Sequence, residues 1–131
     1  IEGHSRGAAG AIHYYLKYPG LSSSIVGMGY VSDYTLVNNF LLGQNNLEIL
    51  KGESTPLRLE IGTEDSFVRT KNRRASFEMH QFLKENEIDH SFDILHGVEH
   101  GFDTYWNYYS DEGMLNGLSH LKFHERSRNC R

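Results

Sequence analysis

Strand-like segments alternate with longer segments of helical periodicity along the chain. Apolar content and residue type predict strands at residues 24–29, 57–61 and 90–95. Small or apolar residues at helical spacing predict helices at residues 7–18, 68–86 and about 105–123. A weaker helical pattern joins Leu36, Val37, Phe40 and Leu41, and residues 47–51 add another turn.

The order of these elements predicts the fold class. Strands that alternate with helices of a dozen or more residues imply a parallel sheet, because parallel neighbours need a crossover connection. We therefore expect an α/β fold of three layers, in which a short, mostly parallel sheet is flanked by helices. The 131 residues are 38% apolar and 12% aromatic, which is enough for one core and predicts a single domain over residues 1–131.

Charge and cysteine content exclude several classes of function. Thirteen basic and 17 acidic residues give a net charge of -4, which argues against a nucleic-acid or anionic-membrane binder. Cys130 is the single cysteine, so neither an internal disulfide nor a cysteine-based metal site can form. No apolar run approaches the roughly 20 residues that span a bilayer. These features favour a cytoplasmic protein.

The segment Gly3-His4-Ser5-Arg6-Gly7 carries the first candidate chemistry. A serine hydroxyl is a weak nucleophile at neutral pH, so it needs a nearby base and a tight turn that exposes it. Glycines on both sides of Ser5 leave room for a sharp corner between a strand and a helix. The helix that follows directs its first amides at developing negative charge, and we expect the Arg6 N–H to be one oxyanion donor.

Two further strand ends present the partners that a serine nucleophile needs. Asp65 follows the strand at residues 57–61, and His100 follows the strand at residues 90–95. Sites in open α/β sheets form at the carboxyl ends of strands, which is where Ser5, Asp65 and His100 fall. Their order along the chain, serine then acid then histidine, is the order expected for this architecture.

Simpler interpretations of each residue remain open at this point. Ser5 could cap the helix that follows it, and Asp65 could cap the helix that starts near residue 68. Glu64 could be the acid in place of Asp65, and His96 could replace His100.

The sequence resembles the α/β-hydrolase superfamily, especially its bacterial esterase, dienelactone-hydrolase and prolyl-oligopeptidase-like branches. The resemblance rests on the serine motif at residues 3–7, on the acid turn at residues 62–68 (GTEDSFV) and on the histidine loop at residues 97–102 (GVEHGF). It implies that Ser5 attacks an acyl carbonyl, that His100 takes and returns the proton, and that Asp65 orients the imidazole. The implied substrate is a small-molecule carboxylic ester, with peptidase activity as the nearest variant, and no metal or organic cofactor is needed.

The same resemblance implies that the chain corresponds to the C-terminal part of such a fold, a single partial domain. Members of the superfamily have about five strands before the serine turn and take a second oxyanion donor from an early loop. The strand at residues 24–29 would then lack one neighbour and leave an apolar edge. We therefore expect a homo-oligomer or a missing N-terminal half as partner.

Two other functions compete with a serine esterase. The first is a catalytically silent, truncated domain that acts as an oligomeric or interaction module. The second is a histidine metal site, because His96 and His100 are four residues apart, as are His120 and His124. We expect the aromatic cluster formed by Tyr105, Trp106, Tyr108 and Tyr109 to pack the last helix onto the sheet, with the lining of an acyl pocket as the alternative.

Overall fold

In the computed structural model, four parallel strands form one sheet. The structure describes residues 1–31, 46–52, 55–66, 71–110 and 113–129. The strands are β1 (Glu2–His4), β2 (Ile25–Met28), β3 (Leu57–Gly62) and β4 (Ser91–Leu95), and they lie in this order across the sheet. The helices are α1 (Arg6–Lys17), α2 (Asn46–Gly52), α3 (Lys71–Glu85), α4 (Phe102–Trp106) and α5 (Asn116–Asn129).

Helices cover both faces of the sheet. On one face, apolar residues of α1, α2 and α3 pack with the strands; they include Ile12, Leu16, Leu50, Met79, Leu83, Ile25, Leu57 and Leu59. On the other face, α4 and α5 cover a smaller cluster: Val26, Met28, Leu95, Val98, Tyr105 and the half-buried Phe123. Successive strand residues point to opposite faces, so neighbours such as Ile25 and Val26 belong to different clusters. The predicted three-layer α/β fold is confirmed.

Most of the predicted elements appear close to their expected limits. The strands expected at residues 24–29, 57–61 and 90–95 are β2, β3 and β4, and the helix expected at residues 7–18 is α1. The turn expected at residues 47–51 is α2. Helix α3 begins at Lys71; residues 67–70 lie outside the described residues, as does the weak helical pattern from Leu36 to Leu41.

The prediction that the strand at residues 24–29 lacks one neighbour is wrong. Strand β2 pairs with β3 on one side and with β1 on the other, with Glu2 opposite Val26 and His4 opposite Met28. Residues 2–4 are too few to show the alternation that identifies a strand, so their pairing is visible only in the folded chain. The edge of the described sheet on this side is therefore β1.

The single helix predicted at residues 105–123 is also wrong. Helix α4 ends at Trp106, and α5 begins at Asn116. Between them, Tyr109 forms an antiparallel bridge with Leu115, and Gly113 adopts a φ of 76°, in the left-handed region that favours glycine. The C-cap of α4 is Asn107, whose N–H donates to the carbonyls of Asp103 and Tyr105, so α4 ends well before Gly113 and α5 is a separate helix.

Helix α5 keeps some of its apolar residues in contact with solvent. Leu118 and Leu121 have 53% and 57% of their surface exposed. In the part of the chain that the structure describes, no helix is both long enough and apolar enough to cross a membrane.

Candidate active site

The carboxyl ends of β1, β3 and β4 bring Ser5, Asp65 and His100 into contact. The Oγ atom of Ser5 lies 2.9 Å from Nε2 of His100. The other ring nitrogen of His100, Nδ1, lies 2.9 Å from each carboxylate oxygen of Asp65. Sixty or more residues separate Ser5 from each of its partners in the sequence, so only the crossover connections of the parallel sheet place them together.

Ser5 occupies a sharp corner between β1 and α1. Its φ of 60° and ψ of -116° lie in a region that non-glycine residues rarely adopt, and such strain clusters at functional sites. A Cβ atom on Gly3 would lie 2.1 Å from the Gly7 carbonyl oxygen, which explains the first glycine of the motif, whereas a Cβ atom on Gly7 would meet nothing within 4 Å. Ser5 precedes the helix, but its side chain makes no capping hydrogen bond and contacts His100 instead.

Asp65 is fully buried, and its carboxylate faces the imidazole. Besides its contacts with His100, its Oδ2 atom accepts a 2.6 Å hydrogen bond from the Tyr105 hydroxyl. Glu64, the alternative acid, is exposed, and so is His96, the alternative base. The geometry therefore favours Asp65 and His100 over the neighbours that the sequence left open.

Backbone hydrogen bonds join the turn that carries Asp65 to the loop that carries His100. The Thr63 N–H donates to the Leu95 carbonyl at 3.0 Å, and the Glu64 N–H donates to the Val98 carbonyl at 3.0 Å. A Cβ atom on Gly62 would lie 2.1 Å from the Val98 carbonyl oxygen, so glycine is needed for this approach. The two loops form one unit that sets the distance between acid and base.

Two residues that the sequence did not assign to the site support it. The Nε2–H group of His4 donates to the His100 carbonyl oxygen, and the two rings lie 4.9 Å apart. Burial lowers the pKa of His4, which favours a neutral donor at this position. The second residue is Tyr105, which sequence reasoning placed only in an aromatic cluster. Neither residue fills the serine, acid or histidine role that the sequence analysis looked for at strand ends, so no sequence signal marked it.

The arrangement provides the parts of a nucleophilic mechanism. A neutral His100 can accept the Ser5 proton at Nε2 while its Nδ1–H donates to Asp65. Arg6 is the first residue of α1, so its backbone N–H has no acceptor within the helix and is available to an anion. The described residues identify no second oxyanion donor.

A separate charged cluster lies between the sheet and α5. Glu60 is fully buried, forms an ion pair with Arg58 at 2.9 Å and contacts His120 Nε2 at 2.5 Å. Burial opposes the charging of His120, but hydrogen bonds to Glu2 and Glu60 outweigh it and raise the pKa of His120 to about 9. These contacts attach α5 to β1 and β3.

The histidine pairs do not form a metal site in this structure. His120 and His124 both contact the Glu2 carboxylate, at 3.5 Å and 2.9 Å, in the charged cluster just described. His100 contacts Ser5 and Asp65, while His96 is exposed. Within the described ranges, no group of three or more histidine, cysteine or acidic side chains is arranged to hold a metal ion.

The aromatic cluster divides between core and surface. Tyr105 is fully buried, Trp106 is half-buried against His120 at a ring distance of 5.7 Å, and Tyr108 packs beside the smaller core cluster. Tyr109 is 65% exposed. The packing role expected for the cluster therefore holds for the first three residues.

Comparison with known proteins identifies the fold. The sequence matches no protein-family model, and it has no significant match among curated proteins. An uncharacterized protein from Bacillus cereus ATCC 10987 matches the structure with a TM-score of 0.65 and 19% identity, over 96% of this chain and 36% of that chain. An S-formylglutathione hydrolase from Agrobacterium tumefaciens matches with a TM-score of 0.61 and 19% identity, over 97% of this chain and 48% of that chain.

A third solved structure gives the same result. The S-formylglutathione hydrolase from Staphylococcus aureus matches with a TM-score of 0.54 and 12% identity, over 98% of this chain and 52% of that chain. The chain thus spans 36–52% of the length of these proteins. Its fold is similar to the C-terminal part of esterase structures.

Proposed function

We propose that this chain carries the catalytic residues of a serine hydrolase that acts on carboxylic esters, a member of the α/β-hydrolase superfamily. The observation that carries the proposal is the position of His100, with Nε2 2.9 Å from Ser5 Oγ and Nδ1 2.9 Å from the Asp65 carboxylate. This is the geometry that a serine, a base and an orienting acid need.

The proposed reaction has two halves. Ser5 Oγ attacks the ester carbonyl carbon while its proton passes to His100 Nε2, and the oxyanion that forms lies near the Arg6 N–H at the start of α1. His100 then gives the proton to the departing alkoxide, which leaves an acyl group on Ser5. A water molecule, deprotonated by His100, attacks that acyl group, and the proton returns to Ser5 as the carboxylic acid departs. Asp65 stabilises the imidazolium in both halves.

The structural relatives support an ester or thioester substrate. Two of them are named as S-formylglutathione hydrolases, and the present chain matches about half of their length. We propose that either an N-terminal segment or a second copy of the chain pairs with the edge of β1 and supplies the second oxyanion donor. Strand β1 is suited to this because its outer edge is unpaired among the described residues.

A fluorophosphonate probe tests the proposal, because it phosphonylates only an activated serine. We expect a single adduct by intact mass in the natural chain and none in Ser5→Ala. The matched control is Ser91→Ala: Ser91 is exposed and lies at the first position of β4, at the opposite end of the strand from the site, so its adduct should persist. Labelling that survives in Ser5→Ala contradicts the proposal. A natural chain that is not labelled favours the catalytically silent module.

A further inference from the structure

The hydroxyl of Tyr105 is held between two groups at the site. It accepts a hydrogen bond from the Gly62 N–H at 3.0 Å and donates one to Asp65 Oδ2 at 2.6 Å. Because Gly62 has only a donor to offer here, the Tyr105 proton must point at the carboxylate. Tyr105 is fully buried, so water cannot replace either contact without entering the core.

The surroundings of Tyr105 hold its backbone in place and leave little space beside its hydroxyl. Its backbone carbonyl accepts a 2.9 Å hydrogen bond from Asn116 Nδ2, and the same amide donates to the buried Glu60 at 2.9 Å. On the other side, a Cβ atom on Gly29 would lie 3.0 Å from the Tyr105 hydroxyl and 3.1 Å from Asp65 Oδ2. Gly29, directly after β2, therefore lies against the hydrogen bond between Tyr105 and Asp65.

We propose that Tyr105 is a positioning residue, which fixes the plane of the Asp65 carboxylate and thereby the ring of His100. This inference rests on the proposed serine-hydrolase function. Asp65 presents both of its oxygens to His100 Nδ1 at 2.9 Å, and rotation of the carboxylate would lose this symmetrical contact. Tyr105 remains a donor because burial raises its pKa.

Loss of the hydroxyl should have two separable effects. In Tyr105→Phe the carboxylate can turn, so a smaller fraction of molecules has His100 aligned with Ser5. The charge on Asp65 also loses a hydrogen bond, which makes the pair of Asp65 and His100 take up its proton more readily. Other titratable groups near this pair are His4 beside His100, Asp103 close to His4 and Glu60 close to Tyr105; the substitution leaves these side chains in place.

The experiment measures fluorophosphonate labelling rates from pH 4 to 9 in the natural chain, Tyr105→Phe and Tyr109→Phe. Tyr109 is the matched control, since it lies on the same segment but is 65% exposed. We expect Tyr105→Phe to label about 10- to 100-fold more slowly, and the acidic limb of its pH profile to move up by about half to one pH unit. The control should match the natural chain in both respects.

A second readout separates this inference from the proposed function. The His100 ring is titrated by NMR, with its signal assigned from its loss in His100→Gln, and no turnover is needed. A higher titration midpoint in Tyr105→Phe supports the positioning role, while an unchanged midpoint overturns it. If the natural chain labels at Ser5 but Tyr105→Phe has the same rate and profile, this inference fails and the serine-hydrolase proposal stands.

Destabilisation of the fold would slow labelling without moving the pH profile, and that result also overturns the inference. If Tyr105→Phe does not fold, 3-fluorotyrosine placed at position 105 keeps the ring and the hydroxyl. Its stronger donor should move both the acidic limb and the His100 midpoint to lower pH. A shift in the other direction, or none, contradicts the proposed role.

Discussion

A methyl group at position 3 tests how closely α1 approaches β1 at the serine corner. In Gly3→Ala the new Cβ atom would lie 2.1 Å from the Gly7 carbonyl oxygen, 2.2 Å from the Gly7 carbonyl carbon and 2.7 Å from the Ala8 nitrogen. All three are backbone atoms, so no change of rotamer can relieve the overlap. To increase the distance between the new Cβ atom and the Gly7 carbonyl oxygen from 2.1 Å to 3.0 Å, the start of α1 must move by about 0.9 Å.

That movement should affect both stability and labelling. Overpacking of a buried contact costs about 1–3 kcal/mol, and the upper end applies because α1 is buried against two strands. We therefore expect the free energy of unfolding to fall by about 3 kcal/mol. The same displacement moves Ser5 and the Arg6 N–H by about 1 Å, which should reduce the labelling rate of the folded molecules about 100-fold.

Gly7→Ala is the matched control, with the same substitution at the other glycine of the motif. A Cβ atom there meets nothing within 4 Å, and Gly7 lies in the first turn of α1. Alanine is favoured over glycine within a helix by up to about 1 kcal/mol, so Gly7→Ala should be at least as stable as the natural chain.

Urea unfolding followed by circular dichroism gives the stabilities, and fluorophosphonate labelling below the transition gives the rates. The reasoning is refuted if Gly3→Ala unfolds at the same urea concentration as Gly7→Ala and labels at the same rate. It is also refuted if the two alanine variants are equally impaired, because the distances predict a difference between them.

The remaining predictions concern pH and assembly. The pKa of His120 is raised to about 9, above its usual value of 6.5, so the stability that this group contributes should be complete below about pH 6.5 and decline as the pH rises through 9. Urea unfolding from pH 6 to 10 should show this decline, and His120→Gln should abolish it. The hydrogen bond from His120 lowers the pKa of Glu2 from 4.5 to about 2, so the contribution of Glu2 should be lost only as the pH falls from about 4.5 through 2. Because β1 lies at the edge of the described sheet, light scattering at micromolar concentration should show that the chain self-associates; a strictly monomeric species would count against this expectation.

The sequence predicted those features that depend on local patterns. A buried apolar run identified β2, whereas β3 (LRLEIG) and β4 (SFDIL) were identified from short stretches that contain apolar residues typical of strands. The motif around Ser5 and the positions of Asp65 and His100 after strands were sufficient to propose one site, since the carboxyl ends of parallel strands meet at one edge of a sheet. The order of the elements was also sufficient for the α/β class.

Tertiary structure decided the features that depend on contacts between distant segments. Strand β1 exists because three residues pair with β2, and so short a segment carries no periodicity of its own. The choice of Asp65 over Glu64 depends on which side chain faces His100, and Tyr105 joins the site only because α4 folds back over β3. Sequence patterns record whether a residue is buried or exposed, whereas the partner of a buried polar group depends on the packing of the whole chain.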